Sequence, residues 1–150
     1  MRIWVDADAL PGELKEILLR ASARLRIPIV FVANKNITLR ESELTSFVRV
    51  TQGADVADAY IVDTSVREDF CVTADIPLAA LLVEKGLTVI DPRGELYSPA
   101  NVGERLAVRD FMAGLRESGI ETGGPSPWNP KVKQKFAALL DSLLTKATRK

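Results

Sequence analysis

The feature that most restricts the fold of this chain is a set of short apolar runs, rich in β-branched residues, that recur between stretches of helical spacing. Ile27 to Ala33 is the clearest case, an apolar and aromatic run without polar alternation, which marks a strand buried on both faces. Residues 2–6 form a shorter run ending in an acid, Pro11 and Gly12 break the chain, and Glu13 to Leu25 sets Leu14, Ile17, Leu18, Ala21 and Leu25 at helical spacing. Phe47 to Thr51 predicts a further strand, Gly53 a break, and Val56 to Val66 a helix with Ala57, Tyr60 and Ile61 on one side. Phe70 to Thr73 then reads as strand, Pro77 to Lys85 as a helix closed by Gly86, and Leu87 to Ile90 as a fifth strand. Strands alternating with helices in this way predict a three-layer α/β/α sandwich around a mainly parallel central sheet.

Beyond Asp91 the spacing predicts two more helices, Val102 to Ser118 and Pro130 to Lys146, with a Gly- and Pro-rich loop from Gly119 to Pro130 between them. No linker, internal repeat or low-complexity tract divides the sequence, so its 150 residues read as a single domain. The last helix, about 130–146, is amphipathic through Val132, Phe136, Leu139, Leu140, Leu143 and Leu144 and should dock on that domain. A chain of this length buries roughly 68–70% of its unfolded surface and needs no disulfide or structural metal, so any metal would be functional. Trp4 and Trp128 read as packing residues.

Composition removes much chemistry. The chain has no histidine, so Ser-His-Asp hydrolysis, Cys-His catalysis, HExxH zinc sites and imidazole acid-base work each lack a required group. Any enzymatic work falls mostly to carboxylates. One cysteine, Cys71, cannot close an internal disulfide, and the apolar start meets Asp6 too early for a signal peptide; both suit a reducing cytoplasm. No stretch approaches the roughly 18 apolar residues of a membrane span. The twenty basic and twenty acidic residues balance, yet residues 131–150 carry a net +5 and the remainder −5. An acidic body with a basic tail fits a cation site beside a weak polyanion contact, or simply a solubilised terminal helix.

In open α/β sheets, ligands bind beyond the carboxyl ends of the strands, where the strand order reverses. The first strand ends in Asp6-Ala7-Asp8, the fourth in Thr73-Ala74-Asp75, the fifth in Asp91, and the helix after Gly53 begins Asp55-Val56-Ala57-Asp58. If the first and fourth strands are neighbours, Asp6 and Asp75 converge and an acid of the Asp55/Asp58 pair can join them. Carboxylates gathered this way raise one another's pKa unless a cation joins them, and an all-oxygen site suits Mg²⁺ or Mn²⁺. Plainer readings stand beside this one. Asp55 with Asp58 resembles a capping box, Asp75 before Ile76-Pro77 an N-cap, and Asp91-Pro92 a turn.

Val5-Asp6-Ala7-Asp8-Ala9, Val32-Ala33-Asn34, Asp55 to Val62, Val72 to Ala79, Pro92-Arg93-Gly94 and Thr122-Gly123-Gly124-Pro125 together closely resemble the bacterial YaiI/YqxD family, which is regarded as PIN-like. The motifs occur in order from about residue 3 to 125, with one departure, a Leu10 where relatives usually carry Cys. The resemblance implies a PIN-like sandwich, a fold whose active members are Mg²⁺- or Mn²⁺-dependent ribonucleases built on clustered acids. Carried over by position, Asp6, Asp75 and Asp58 or Asp55 would form the catalytic and metal-holding set, with Asp8 an additional acid.

Asn34, Arg93, Arg109 and the backbone of Thr122, Gly123 and Gly124 are the candidate substrate contacts, with Arg116 seven residues beyond Arg109. The leading expectation is a divalent-metal-dependent phosphodiesterase acting on RNA. Two alternatives are a non-catalytic module that binds nucleic acid or protein, and a phosphatase of the haloacid-dehalogenase type, for which Lys85 would be the required lysine.

Overall fold

β1 (Ile3–Asp6) lies between β2 (Ile29–Ala33) and β4 (Phe70–Val72) and is parallel to both, so neither of its edges meets solvent. A computed structural model of the chain describes residues 1–8, 10–39, 42–53, 55–121 and 128–149. β3 (Thr45–Arg49) extends the parallel sheet beyond β2, β5 (Thr88–Ile90) extends it beyond β4, and β6 (Leu96–Tyr97) closes that side as a short antiparallel edge. The strand order is therefore β3-β2-β1-β4-β5-β6, reversing direction between β1 and β4.

The alternation of the pleat sorts the apolar strand residues into two cores. Ile3, Val5, Ile29, Phe31, Phe70, Val72 and Ile90 face α1 (Gly12–Leu25) and α5 (Pro130–Thr148), which contribute Leu14, Leu18, Phe136, Leu140 and Leu144. Trp4, Val30, Val32, Cys71 and Val89 face the other way, against Ile61 of α2 (Val56–Thr64), Leu78 and Leu82 of α3 (Ile76–Lys85), and Tyr97. Burying each such side chain contributes about 1.5–3 kcal/mol, which explains why these runs tolerate no polar residue. The three-layer architecture expected from the sequence is the one observed. Among the described residues no helix is long and apolar enough to cross a membrane.

Several boundaries differ from expectation for physical reasons. β3 begins at Thr45, two residues before its first aromatic, because it pairs with β2 from Ile29 onward and its outer face is only half covered. β6 has no counterpart in the sequence pattern, since two residues offer no periodicity. α4 (Pro99–Glu117) starts earlier than Val102 because Ser98 and Asn101 form a reciprocal cap, Asn101 standing where Glu or Gln is usual. Gly94, in the turn between β5 and β6, has φ +84°, and a Cβ there would lie 2.7 Å from the Phe136 backbone nitrogen, so glycine lets α5 press against that turn. Trp128 donates to the Pro92 carbonyl at 3.2 Å and packs against the same core, as a packing residue should.

The amino end of the sheet is tied by a carboxylate. Asp69 is 2% exposed and accepts from the Arg2 backbone N–H at 3.0 Å, the Trp4 indole at 3.0 Å and the Val66 N–H at 2.9 Å. Asp69→Asn replaces one accepting oxygen with a donor facing donors, and should lower stability by about 1–3 kcal/mol for each N–H left unpaired. The expected reading is a lower urea midpoint with an unchanged slope; a midpoint equal to wild type would show that these bonds do not hold β1 in place.

Candidate functional site

Because β1 and β4 are parallel neighbours, their carboxyl ends open side by side, and the chain continues from one into Asp6-Ala7-Asp8 and from the other into Thr73-Ala74-Asp75. A cleft of about 310 Å³ lies over this point. Asp6, Asp8, Asp55, Asp58 and Asp75 line it together with Asn34, and no described lining residue is a lysine or arginine. All five acids singled out in the sequence thus meet in one place.

Each acid is held differently. The Thr73 hydroxyl donates to Asp6 Oδ2 at 2.8 Å and accepts from the Asp75 backbone N–H at 3.0 Å, so one fully buried side chain sets the spacing between the two strand ends. Asp75 is the N-cap of α3, its Oδ1 accepting from the Leu78 N–H at 3.0 Å while its carboxylate also lines the cleft. Cap and cleft residue are therefore the same residue. Asp8 accepts from the Asn34 N–H with both oxygens at 3.0 Å, which fastens the turn after β1 to the end of β2.

Asp55 does not form the capping box that its spacing with Asp58 suggests. It adopts a left-handed conformation, φ +65° and ψ +8°, and its side chain caps nothing, although its carbonyl accepts from the Ala59 N–H at 2.9 Å. A non-glycine residue in this region costs about 1–3 kcal/mol, and such strain concentrates at functional sites. Gly53, at φ +149°, brings the chain into the turn past Val56, whose Cγ2 would stand 3.2 Å from an added Cβ.

Crowding without countercharge perturbs the carboxyls. Burial raises Asp6 above the ordinary carboxylate range; the Thr73 hydrogen bond opposes the rise, and Asp75 and Asp8 add to it. Asp58 is pushed up to about 7, by loss of water first, then by the charge of Asp75 and a hydrogen bond shared with it, then by Asp6 and Asp55. Among the described residues no three acids stand at the mutual spacing of a finished metal site. The donors are nonetheless all oxygen, and Mg²⁺ commonly takes one or two carboxylates and completes its shell with water or phosphate oxygens. Asp58 and Asp75, both lining the cleft with Asp6, are of the donor type that such an ion takes.

The remaining candidates fall elsewhere. Asn34 reaches the cleft, but Arg93 and Arg109 do not line it; Arg109 lies on the exposed part of α4 and pairs with Asp110 at 3.2 Å. Thr122, Gly123 and Gly124 lie outside the described residues. Asp91 forms the expected turn, with the Gly94 N–H on its carbonyl at 2.9 Å, and is buried against Arg105 at 2.7 Å rather than in the cleft. Arg105 in turn lies 4.2 Å above the Tyr97 ring. Lys85, which a haloacid-dehalogenase mechanism would need beside the acids, donates instead to the Val62 and Ser65 carbonyls at the end of α2. Sequence reading passes over Thr73, since a hydroxyl at the end of a strand looks like an ordinary β-former. Its signal is position: one residue past β4 and two before the capping acid.

The stability of this cleft should depend on pH with a definite sign. Folded Asp58 keeps its proton to about pH 7, whereas an unfolded aspartate releases it near 3.8, so the folded state binds the extra proton between those limits. Stability is then expected to fall as pH rises through that window, and thermal melts of Asp58→Asn should show a flatter profile and a higher midpoint than wild type above it. Parallel profiles for the two proteins would dismiss the strained pair. Thr73→Val, near-isosteric, should cost about 1–3 kcal/mol in urea unfolding, because Asp6 and the Asp75 N–H both lose a partner.

A family model described as an uncharacterized bacterial YaiI/YqxD family matches residues 4–146. A UPF0178 protein of Geobacter metallireducens is 53% identical over 149 residues, covering 99% of this chain and 96% of that one. Another from Syntrophobacter fumaroxidans is 53% identical over 146 residues, covering 97% and 95%. A third, from Myxococcus xanthus, is 50% identical over 149 residues, covering 99% and 97%. No solved structure matches the chain.

Proposed function

The chain belongs to the YaiI/YqxD family, and we propose that its acid cleft binds Mg²⁺ or Mn²⁺ and hydrolyses phosphodiester bonds in RNA. The observation that supports this reading is the meeting of Asp6, Asp58 and Asp75 in a cleft lined by no described cation, with two of the three carboxyls raised above their ordinary range. Carboxylates crowded in this way are relieved by a bound cation, which can then receive a phosphate oxygen. Asp58 and Asp75 would hold the ion and Asp6 would stand behind them. A bound divalent ion supplies an activated water and charge for the leaving oxygen, the work that a chain without histidine cannot give to imidazole. Within the chain, Thr73 orients Asp6, the cap to Leu78 orients Asp75, and Asp58 is the acid that the crowding keeps protonated toward neutrality.

A second reading, a protein-binding module, draws on α4. No residue of that helix is fully buried, and Val108, Phe111 and Met112 stand exposed along it, Phe111 at 66%. This surface and the cleft can coexist.

Thermal unfolding with and without millimolar Mn²⁺, followed by assay on single-stranded RNA, tests the first reading. Saturation near 100-fold over Kd adds about 2.7 kcal/mol, or roughly 5–10 °C for a domain of this size. Asp75→Asn is an informative variant because Asn caps a helix about as well as Asp, so apo stability should hold while the Mn²⁺ gain disappears. Cleavage should vanish in Asp75→Asn and Asp58→Asn. If neither wild type nor variant responds to Mn²⁺ and RNA stays intact, the cleft is not a metal centre.

A further inference from the structure

A smaller cavity, about 140 Å³, is lined by the immediate chain neighbours of two acid-cleft residues. Asp8 and Asn34 face the cleft, while their neighbours Ala7 and Lys35 face this cavity. Its floor is apolar, with Leu10 and Ile37, and its rim carries Lys15 and Lys35. The Lys15 ammonium donates to the Thr38 carbonyl at 2.9 Å, and that of Lys35 reaches the Asp8 carbonyl at 3.4 Å. An ammonium has three donors, so most of their capacity is unused, and neither lysine forms an ion pair among the described residues. Gly12 lies on the same rim, and a Cβ placed there would meet nothing.

We propose that this cavity seats the nucleotide next to the bond that is cut, with Lys15 and Lys35 on its phosphate and Leu10 and Ile37 under its base or sugar. The inference rests on the phosphodiesterase reading and supplies the positive charge which that reading lacks. A strand of nucleic acid carries a charge at every residue, and a cleft lined by carboxylates repels each phosphate not directly offset by a bound cation. Binding therefore needs positive charge within one nucleotide of the reacting phosphate. Arg109 stands away on α4, and the lysines of α5 are spread along a different helix, whereas Lys15 and Lys35 line the cavity that shares chain segments 7–8 and 34–35 with the cleft. Their combination with an apolar floor suits a single unpaired nucleotide rather than a duplex, whose bases are stacked and covered.

The test is binding, not turnover. The probe is a fluorescein-labelled octauridylate, read by anisotropy over a range of salt, once in EDTA and once in millimolar Mn²⁺. Lys15→Ala/Lys35→Ala should weaken binding about tenfold or more and lower the slope of log K against log salt by about 0.7 for each phosphate that is no longer neutralised. Lys35→Ala alone, at an exposed position, should show part of the effect with an unchanged melting temperature, and Lys15→Arg/Lys35→Arg should restore the slope. Lys133→Ala/Lys146→Ala on α5 should change both much less. The proposal is overturned if the Lys15/Lys35 pair can be removed with affinity and slope intact, or if the α5 variant loses as much. RNA that binds through these lysines but is never cut would refute the phosphodiesterase reading and leave this site standing. RNA that is cut by a protein indifferent to Lys15 and Lys35 would do the reverse.

Discussion

Two-sided burial of β1 governs where this chain can put a charge. A central strand with parallel neighbours and a helical layer on each face has no room for a polar group along its length, so polarity is confined to its two ends. At the amino end one buried carboxylate, Asp69, collects three N–H groups and is satisfied. At the carboxyl end five carboxylates share one hydroxyl, a few backbone N–H groups and no described lining cation. The same chemical group thus serves as a fastening at one end of the strand and as an unmet demand at the other. What differs is the supply of donors, which satisfies one end and leaves the other to the proposed cation.

The layers are legible in the sequence because period-two and period-3.6 patterns report burial directly, and burial dominates the energetics of strands such as Ile29–Ala33. Convergence of Asp6 and Asp75 is legible too, given the assumption that β1 and β4 pair, since parallel neighbours must bring their carboxyl ends together. What one sequence does not express is conformation at single residues. Asp55 and Asp58 have the spacing of a cap, but the spacing is blind to the positive φ that turns Asp55 away from that role. In sequence Asp75 is either cap or ligand, whereas a carboxylate has two oxygens and one of them suffices for the helix. Thr73, Asp69 and Arg105 escape because each works through a partner more than ten residues away, and no local pattern encodes such a partner. Lys15 and Lys35 are ordinary surface lysines in any linear view; only the cavity they line together distinguishes them.

The cleft carries strain at several points. The left-handed Asp55, the raised Asp58 and the half-desolvated Asp6 each oppose folding, and the surrounding sheet and α3 cap hold them in place. The cost is bearable because a buried apolar core lies on each side of the sheet. Substitutions relieving the strain would make a more stable protein, and on the proposed reading would idle the site, the usual exchange between stability and activity.

α5 has a consequence for how the molecule is made. Phe136, Leu140 and Leu144 complete the core over α1, and Gly94 receives the helix backbone from the other side, yet all three core residues come after every strand in chain order. A polypeptide emerging from the ribosome amino end first therefore exposes the whole sheet, with the apolar face of α1 open, before the helix that seals it has been synthesised. During that interval the nascent chain presents a greasy cleft beside a finished acidic one. The negative charge concentrated in residues 1–130 would keep such half-made chains apart until the basic closing helix arrives.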